Sequence, residues 1–151
     1  MITTSELHIR PYEDSDYDQV VTLWDDCGLL RPWNDPAKDI GLCRRTASSE
    51  LLVGALEKNE ASERIVATVM TGSDGHRGWL YYLAVGPKFQ RKGFARAMVG
   101  HAEKWLADQG IRKVELMIRD DDEPVRAFYE RVGYETEPRI LMSRRLKDHD
   151  T

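Results

Sequence analysis

Gln90, Arg91, Lys92 and Arg96 surround a single glycine, Gly93, in a chain whose formal net charge is −4. Guanidinium and ammonium groups only donate hydrogen bonds, so their concentration against an acidic background marks a place for an anion. The stretch that holds them runs from Trp79 through Gly86-Pro87 and the basic loop to Arg96. A glycine at a helix start leaves backbone N–H groups open to a ligand, and the helix dipole favours negative charge there. The residues fit a phosphate cradle. They fit equally well an ordinary strand–loop–helix joint with solvated basic side chains, and by themselves they leave both open.

The length of 151 residues suggests one domain, residues 1–151, large enough to bury a core. Hydrophobic residues make up 41% and charged residues 32%, the balance of a water-soluble globular protein. The acidic balance argues against a general binder of nucleic acid or membrane surfaces. Cys27 and Cys43 form no C-x-x-C pair, so neither a disulfide framework nor a metal site is expected. The first ten residues lack the apolar core of a signal peptide, and no apolar run is long enough to span a bilayer. A cytoplasmic protein is the expectation.

The elements that must position the basic loop follow from periodicity. Glu6 to Tyr12 alternates as a short strand. Asp14 or Ser15 is placed to cap a helix that carries Tyr17, Val20, Val21 and Trp24 on one face and stops at Gly28. The loop from Leu29 to Pro36 is unusually apolar; Asp35-Pro36 fits a cap and first residue of a second helix reaching towards Ala47. Within that loop Trp33 suits core packing as well as a binding role. Glu50 to Glu57, Arg64 to Thr71 and the strand from Trp79 to Val85 read as an antiparallel meander, ended by Pro87. From Lys92 to Gln109, Phe94, Ala95, Met98, Val99, Ala102, Trp105 and Leu106 form a helical stripe. A strand from Lys113 to Ile118 returns, expected to run parallel to the central one because a helical crossover usually joins parallel strands. The acidic run before Pro124 opens a last helix buried on Val125, Phe128 and Val132, closed by Gly133. Tyr134 and the segment from Ile140 to Leu146 suggest a final pair of strands. The fold class is α+β: a mixed, mostly antiparallel sheet with helices on both faces.

Two motifs stand at an informative separation. Gln90-x-x-Gly93-x-Ala95 after a strand is similar to the Q/R-x-x-G-x-G/A signature of the GNAT superfamily of N-acetyltransferases. Ala127-Phe-Tyr-Glu-Arg-Val-Gly-Tyr134 is similar to that superfamily's A-x-Y-E-x-x-G-F block. The order of elements agrees over nearly the whole chain. Arg31 to Pro36 and Asp74 to Arg77 further resemble a small bacterial branch, the YpeA-like acetyltransferases.

The resemblance implies acetyl-CoA as co-substrate, lying in a V-shaped gap between the central strand and the strand at Val114 to Ile118. It implies a β-bulge in the central strand, setting the backbone of Leu83, Ala84 and Val85 against the pantetheine and thioester. Gln90, Arg91, Lys92, Gly93, Phe94, Ala95 and Arg96 would take the pyrophosphate, and Tyr129 would be the general acid, its pKa lowered by a nearby basic loop or helix N-terminus. In many members the loop between the first two helices lines the acceptor pocket, which implicates Arg31 and Trp33. The acceptor would be an amine on a small molecule or peptide; the sequence sets no oligomeric state, and a homodimer is compatible with it.

Asp122 stands where many members carry a cofactor-contacting asparagine, and a carboxylate lacks the amide's N–H. No general base is identified by motif; Glu115, Asp74 and His76 are each better explained as structural or solvated. A dinucleotide site would need more glycines than Gly93, and no G-K-[ST] follows for a P-loop. A non-catalytic CoA-binding sensor or interaction module is the alternative, against which Tyr129 argues.

Overall fold

The computed structural model describes residues 2–59 and 61–147. The chain divides into two compact units, residues 1–117 and 118–151. In the first, strands β1 (His8–Pro11), β2 (Ser49–Asn59), β3 (Ser62–Ser73), β4 (Gly78–Val85) and β5 (Val114–Leu116) form one sheet in sequence order. Neighbours are antiparallel from β1 to β4, whereas β5 runs parallel to β4. Helices α1 (Tyr17–Asp26) and α2 (Pro36–Arg44) separate β1 from β2, and α3 (Phe94–Asp108) makes the crossover from β4 to β5. The second unit contains α4 (Glu123–Arg131). This is the α+β arrangement that the periodicities imply.

Strand alternation divides the core between two faces. Leu51, Val53 and Ala55 of β2 cluster with Val20, Leu23 and Trp24 of α1 and with Ile40 and Cys43 of α2. Between them Gly54 points the other way, where a Cβ would meet Met98 Sδ of α3 at 3.0 Å. Helix α3 buries Phe94, Met98, Val99, Ala102 and Leu106, most of its apolar stripe, on that second face. Gly78 fits closely against it: a Cβ there would lie 2.6 Å from Leu106 Cδ1.

Asp35 caps α2 as expected, its carboxylate accepting the Ala37 N–H, with Pro36 at the first helical position. The entry to α1 differs. Asp14 and Ser15 lie inside a 3₁₀ turn that Glu13 caps, paired reciprocally with Asp16, and α1 follows from Asp16. The reason is Arg10, whose guanidinium grips the buried Asp16 carboxylate at 2.8 and 2.9 Å and places it to accept the Glu13 N–H.

The expected final pair of strands is a correction. Residues 134–147 form no strand, and Ile140 and Met142 are 90% and 88% exposed. Apolar patterning cannot make a strand without a ladder partner for its N–H and C=O groups. The Tyr134 N–H instead bonds the Tyr129 carbonyl at 2.9 Å, finishing the C-terminal turn of α4.

The contact at Gly78 supplies a stability prediction. Gly78→Ala should destabilise by about 1–3 kcal/mol, because Leu106 is fully enclosed and has little room to yield. Urea unfolding would show this as a lower midpoint at unchanged slope. An unchanged midpoint would mean that the α3–β4 contact relaxes freely.

Candidate active site

Strand β4 builds the site by what its two edges do. On one side it pairs with β3 along most of its length. On the other it pairs with β5 only through Gly78, Trp79 and Leu80. From Tyr81 to Val85 no strand lies beside that second edge among the described residues. Peptide groups on an unpaired strand edge are available to an extended ligand laid along them. The V-shaped gap inferred from the resemblance corresponds to this parting of β4 and β5.

A bulge lies within the open stretch. Thr68 pairs with Ala84 and Met70 with Tyr81, so Tyr82 and Leu83 together face Val69. Tyr82 has φ +51, the left-handed region, which costs a non-glycine residue about 1–2 kcal/mol. Three side chains hold it there. Thr68 Oγ1 donates to the Tyr82 carbonyl at 2.8 Å and accepts from Trp24 Nε1 at 2.9 Å. The Trp24 and Tyr82 rings stack with centroids 3.9 Å apart. Tyr82 Oη donates to Asp39 Oδ2 at 2.6 Å. Burial first, and then the Asp39 carboxylate, push the Tyr82 pKa well above the usual phenol value, so the ring keeps its proton.

Beyond the bulge the side chains of Ala84 and Val85 are buried and Leu83 is half-buried, which leaves the main chain as what they offer a ligand. A 3₁₀ turn at Pro87–Phe89 leads into the basic loop. Gln90 braces it, Nε2 donating to the Val85 carbonyl at 3.1 Å; Cys27 Sγ donates to the same carbonyl at 3.3 Å. Arg91 and Gly93 both take left-handed φ, +64 and +83. Left-handed residues of this kind turn neighbouring N–H groups into an anion-binding concavity. No side chain caps α3, so the orphan N–H groups of its first turn are left to a ligand or water. Phe94 anchors the helix in the core, Ala95 is half-buried, and Arg91, Lys92 and Arg96 are exposed. This arrangement suits a diphosphate group: main-chain donors, a helix dipole and loose cations.

Arg31 and Trp33 lie between α1 and α2, in a turn closed by a bridge between Arg31 and Asn34. Trp33 is 54% exposed and so is not the core residue it resembles in sequence. Asp74 organises its own turn, accepting from the His76 and Arg77 N–H groups and from Trp79 Nε1. Those bonds, led by that from Arg77, bring its carboxyl down to about 2. Glu115 pairs with Arg77 at 3.4 Å. The Asp74 carboxylate, committed to its own turn, is a poor proton acceptor. In the second unit Asp122 caps α4, Oδ1 accepting the Val125 N–H at 3.2 Å. Tyr129 is buried, edge-on to Phe128 and Tyr134. Its hydroxyl is pushed up to about 12 by burial, opposite in direction to the lowering that a neighbouring positive charge would produce.

The Acetyltransferase (GNAT) family model matches residues 6–134. The chain belongs to the GNAT family of acetyltransferases. A curated relative, acetyltransferase YE1169 of Yersinia enterocolitica, is 43% identical over 140 residues, covering 93% of this chain and 96% of the relative. Acetyltransferase ECA0875 of Pectobacterium atrosepticum is 41% identical over the same shares. Among solved structures, AAC(6')-Iy in complex with a CoA bisubstrate analogue has a TM-score of 0.76 at 13% identity, over 93% of this chain and 99% of that one. The aminoglycoside 6'-N-acetyltransferase AAC(6')-Ih from Acinetobacter baumannii has 0.73 at 16%, over 94% and 99%. At those identities the likeness is one of fold. As a GNAT acetyltransferase this protein draws its acyl group from an acyl-CoA.

Sequence reasoning about this GNAT domain missed Asp39 and the side-chain clamp on Tyr82. Its members are spread over α1, α2, β3 and β4 with no short spacing, and a bulge beside a paired tyrosine is the only local signal. Thr68→Val should cost about 1–3 kcal/mol, since it leaves the buried Trp24 N–H without an acceptor. The check is chemical denaturation; a variant as stable as the parent would show that the indole finds another partner.

Proposed function

We propose that this protein transfers an acetyl group from acetyl-CoA directly to a primary amine, with Tyr129 as general acid. The observation that carries the reading is the open edge of β4 from Tyr81 to Val85, running into the uncapped N-terminus of α3. A CoA thioester has the matching sequence of groups, a pantetheine arm with amides and then a pyrophosphate. In this reading the main chain of Leu83, Ala84 and Val85 lies against the pantetheine and thioester, and the Arg91 to Arg96 segment takes the pyrophosphate. Gln90 contributes by bracing the loop, and Asp122 has one carboxylate oxygen left for a cofactor N–H once the other has capped α4.

The amine nitrogen attacks the thioester carbonyl carbon, a C–N bond forms, and the carbonyl electrons move to oxygen. A backbone N–H beside the bulge stabilises that oxyanion without reorganising. The electrons return, the C–S bond breaks, and the sulfur takes the Tyr129 proton. The proton that the nitrogen sheds on becoming an amide returns to Tyr129 by way of solvent. With the phenol at about 12 and a cysteine-like thiol near 8.5, full transfer is uphill by about 5 kcal/mol. Tyr129 therefore serves as a firmly protonated donor whose hydrogen bond strengthens as charge collects on sulfur. Arg31 and Trp33 line the acceptor side, where the exposed indole offers apolar surface to the part of the molecule that carries the amine.

Two experiments test this reading. Gly93→Glu sets a carboxylate, and a side chain at φ +83, where the pyrophosphate belongs. Calorimetry with CoA should then show at least a tenfold weaker Kd; a folded variant with the parent's affinity would remove the loop from the site. Tyr129→Phe keeps the ring and its edge-on contacts. General-acid catalysis is typically worth about 10²–10⁴-fold, so the single-turnover rate should fall at least roughly tenfold while CoA affinity stays within about twofold. Transfer at the parent rate would leave Tyr129 a packing residue.

A further inference from the structure

We propose that Tyr82 and Asp39 form a proton relay for the incoming amine: Tyr82 Oη accepts the ammonium proton as its own passes to Asp39. The proposal rests on the acetyl-transfer reading above and adds the base that no motif identifies. An amine of lysine type is almost wholly protonated at neutral pH, with a reference pKa of about 10.4, and an ammonium has no lone pair with which to attack. Some group must take that proton before the C–N bond forms.

Tyr82 is the extra residue of the bulge, one position before the Leu83 to Val85 backbone assigned to the thioester. Its ring lies on the α1–α2 side of the sheet, fixed by the Trp24 stack and by Asp39 of α2. The Arg31–Trp33 segment joins those same two helices. A phenol hydroxyl has one proton and two lone pairs, and here the proton points to Asp39 Oδ2 at 2.6 Å. A lone pair therefore remains to accept an N–H. Tyr82 and Asp39 are both partly exposed rather than sealed in the core.

The step balances. The N–H bond of the ammonium breaks and an O–H bond forms at Tyr82 Oη. The original Tyr82 O–H bond breaks, and an O–H bond forms at Asp39 Oδ2. The amine becomes neutral, the carboxylate becomes a carboxylic acid, and Tyr82 is a neutral phenol before and after. No free phenolate arises, which suits a ring held beside a carboxylate. Tyr82 is thus the group that touches the substrate; Asp39 is a positioning residue that acts through it and receives the charge.

The test is single-turnover acetyl transfer from acetyl-CoA at neutral pH, on the parent, Tyr82→Phe and Asp39→Asn. Phe keeps the stack on Trp24, and Asn keeps an oxygen for the Tyr82 hydroxyl but is a far weaker proton acceptor. Two probe acceptors are compared: Nα-acetyl-lysinamide, which is an ammonium at neutral pH, and methoxyamine, which is already a neutral nucleophile. The relay predicts that each variant lowers the ratio of lysinamide rate to methoxyamine rate at least tenfold, towards the roughly 10²-fold typical of acid–base catalysis. Calorimetry with acetyl-CoA and thermal melts accompany the rates. A variant that slows both probes alike, leaving the ratio unchanged, assigns the pair a structural role and overturns the relay, as does a variant that slows neither. A parent that binds acetyl-CoA but transfers to neither probe defeats the acetyl-transfer reading itself, and the relay with it.

Discussion

The constraint on which the site depends is the left-handed backbone of Tyr82. A β-strand does not hold a bulky residue in that conformation unaided, and the strain is of the same order as a few good hydrogen bonds. Trp24, Thr68 and Asp39 supply the restraint from three different elements. Trp24 and Thr68 are fully buried, so the hydroxyl bridge between indole and carbonyl is sheltered from competing water. The bulge is thereby locked into the core on the α1–α2 face. Local strain, tertiary packing and main-chain availability along the open edge of β4 are three aspects of one arrangement.

On its other face the sheet meets α3, and the same helix does two jobs. Its apolar stripe holds it rigidly on β2, β3 and β4, while its first turn carries the uncapped N–H groups beside Gly93. Phe94 at the first helical position is 1% exposed, so the uncapped end is fixed by the core rather than by the loop before it. Parting of β4 from β5 after three paired residues then exposes the strand edge that leads to this helix end.

The sheet, the helices and the left-handed turn of the basic loop were legible because each has a local cause. Asp35-Pro36 is a helix start in any context, Gly93 is a glycine where the chain must turn left-handed, and β2 and β3 are continuous apolar runs bounded by polar turns. The motifs around Gly93 and Tyr129 then pointed to the family that the comparisons show. What was not legible is non-local. The Asp39–Tyr82 pair spans 43 residues of sequence. The Arg10–Asp16 pair goes with a 3₁₀ turn, capped by Glu13, that holds Asp14 and Ser15 and hands over to the first helix at Asp16. The segment from Ile140 to Leu146 has strand-like composition but no ladder partner, which only three-dimensional pairing decides. The raised Tyr129 hydroxyl is non-local too, since it follows from burial, which the sequence does not show.

The donors at the start of α3 belong to the main chain, and this sets how the loop can diverge among descendants of this sequence. Exchanging the side chain of Lys92 or Arg96 alters the charge around the loop but deletes none of those N–H groups. A change that reverses the sign of φ at residue 91 or 93 would redirect several of them at once. Divergence in this loop is therefore limited by torsion-angle sign more than by side-chain chemistry. A glycine fixed among drifting neighbours is the record such a constraint would leave.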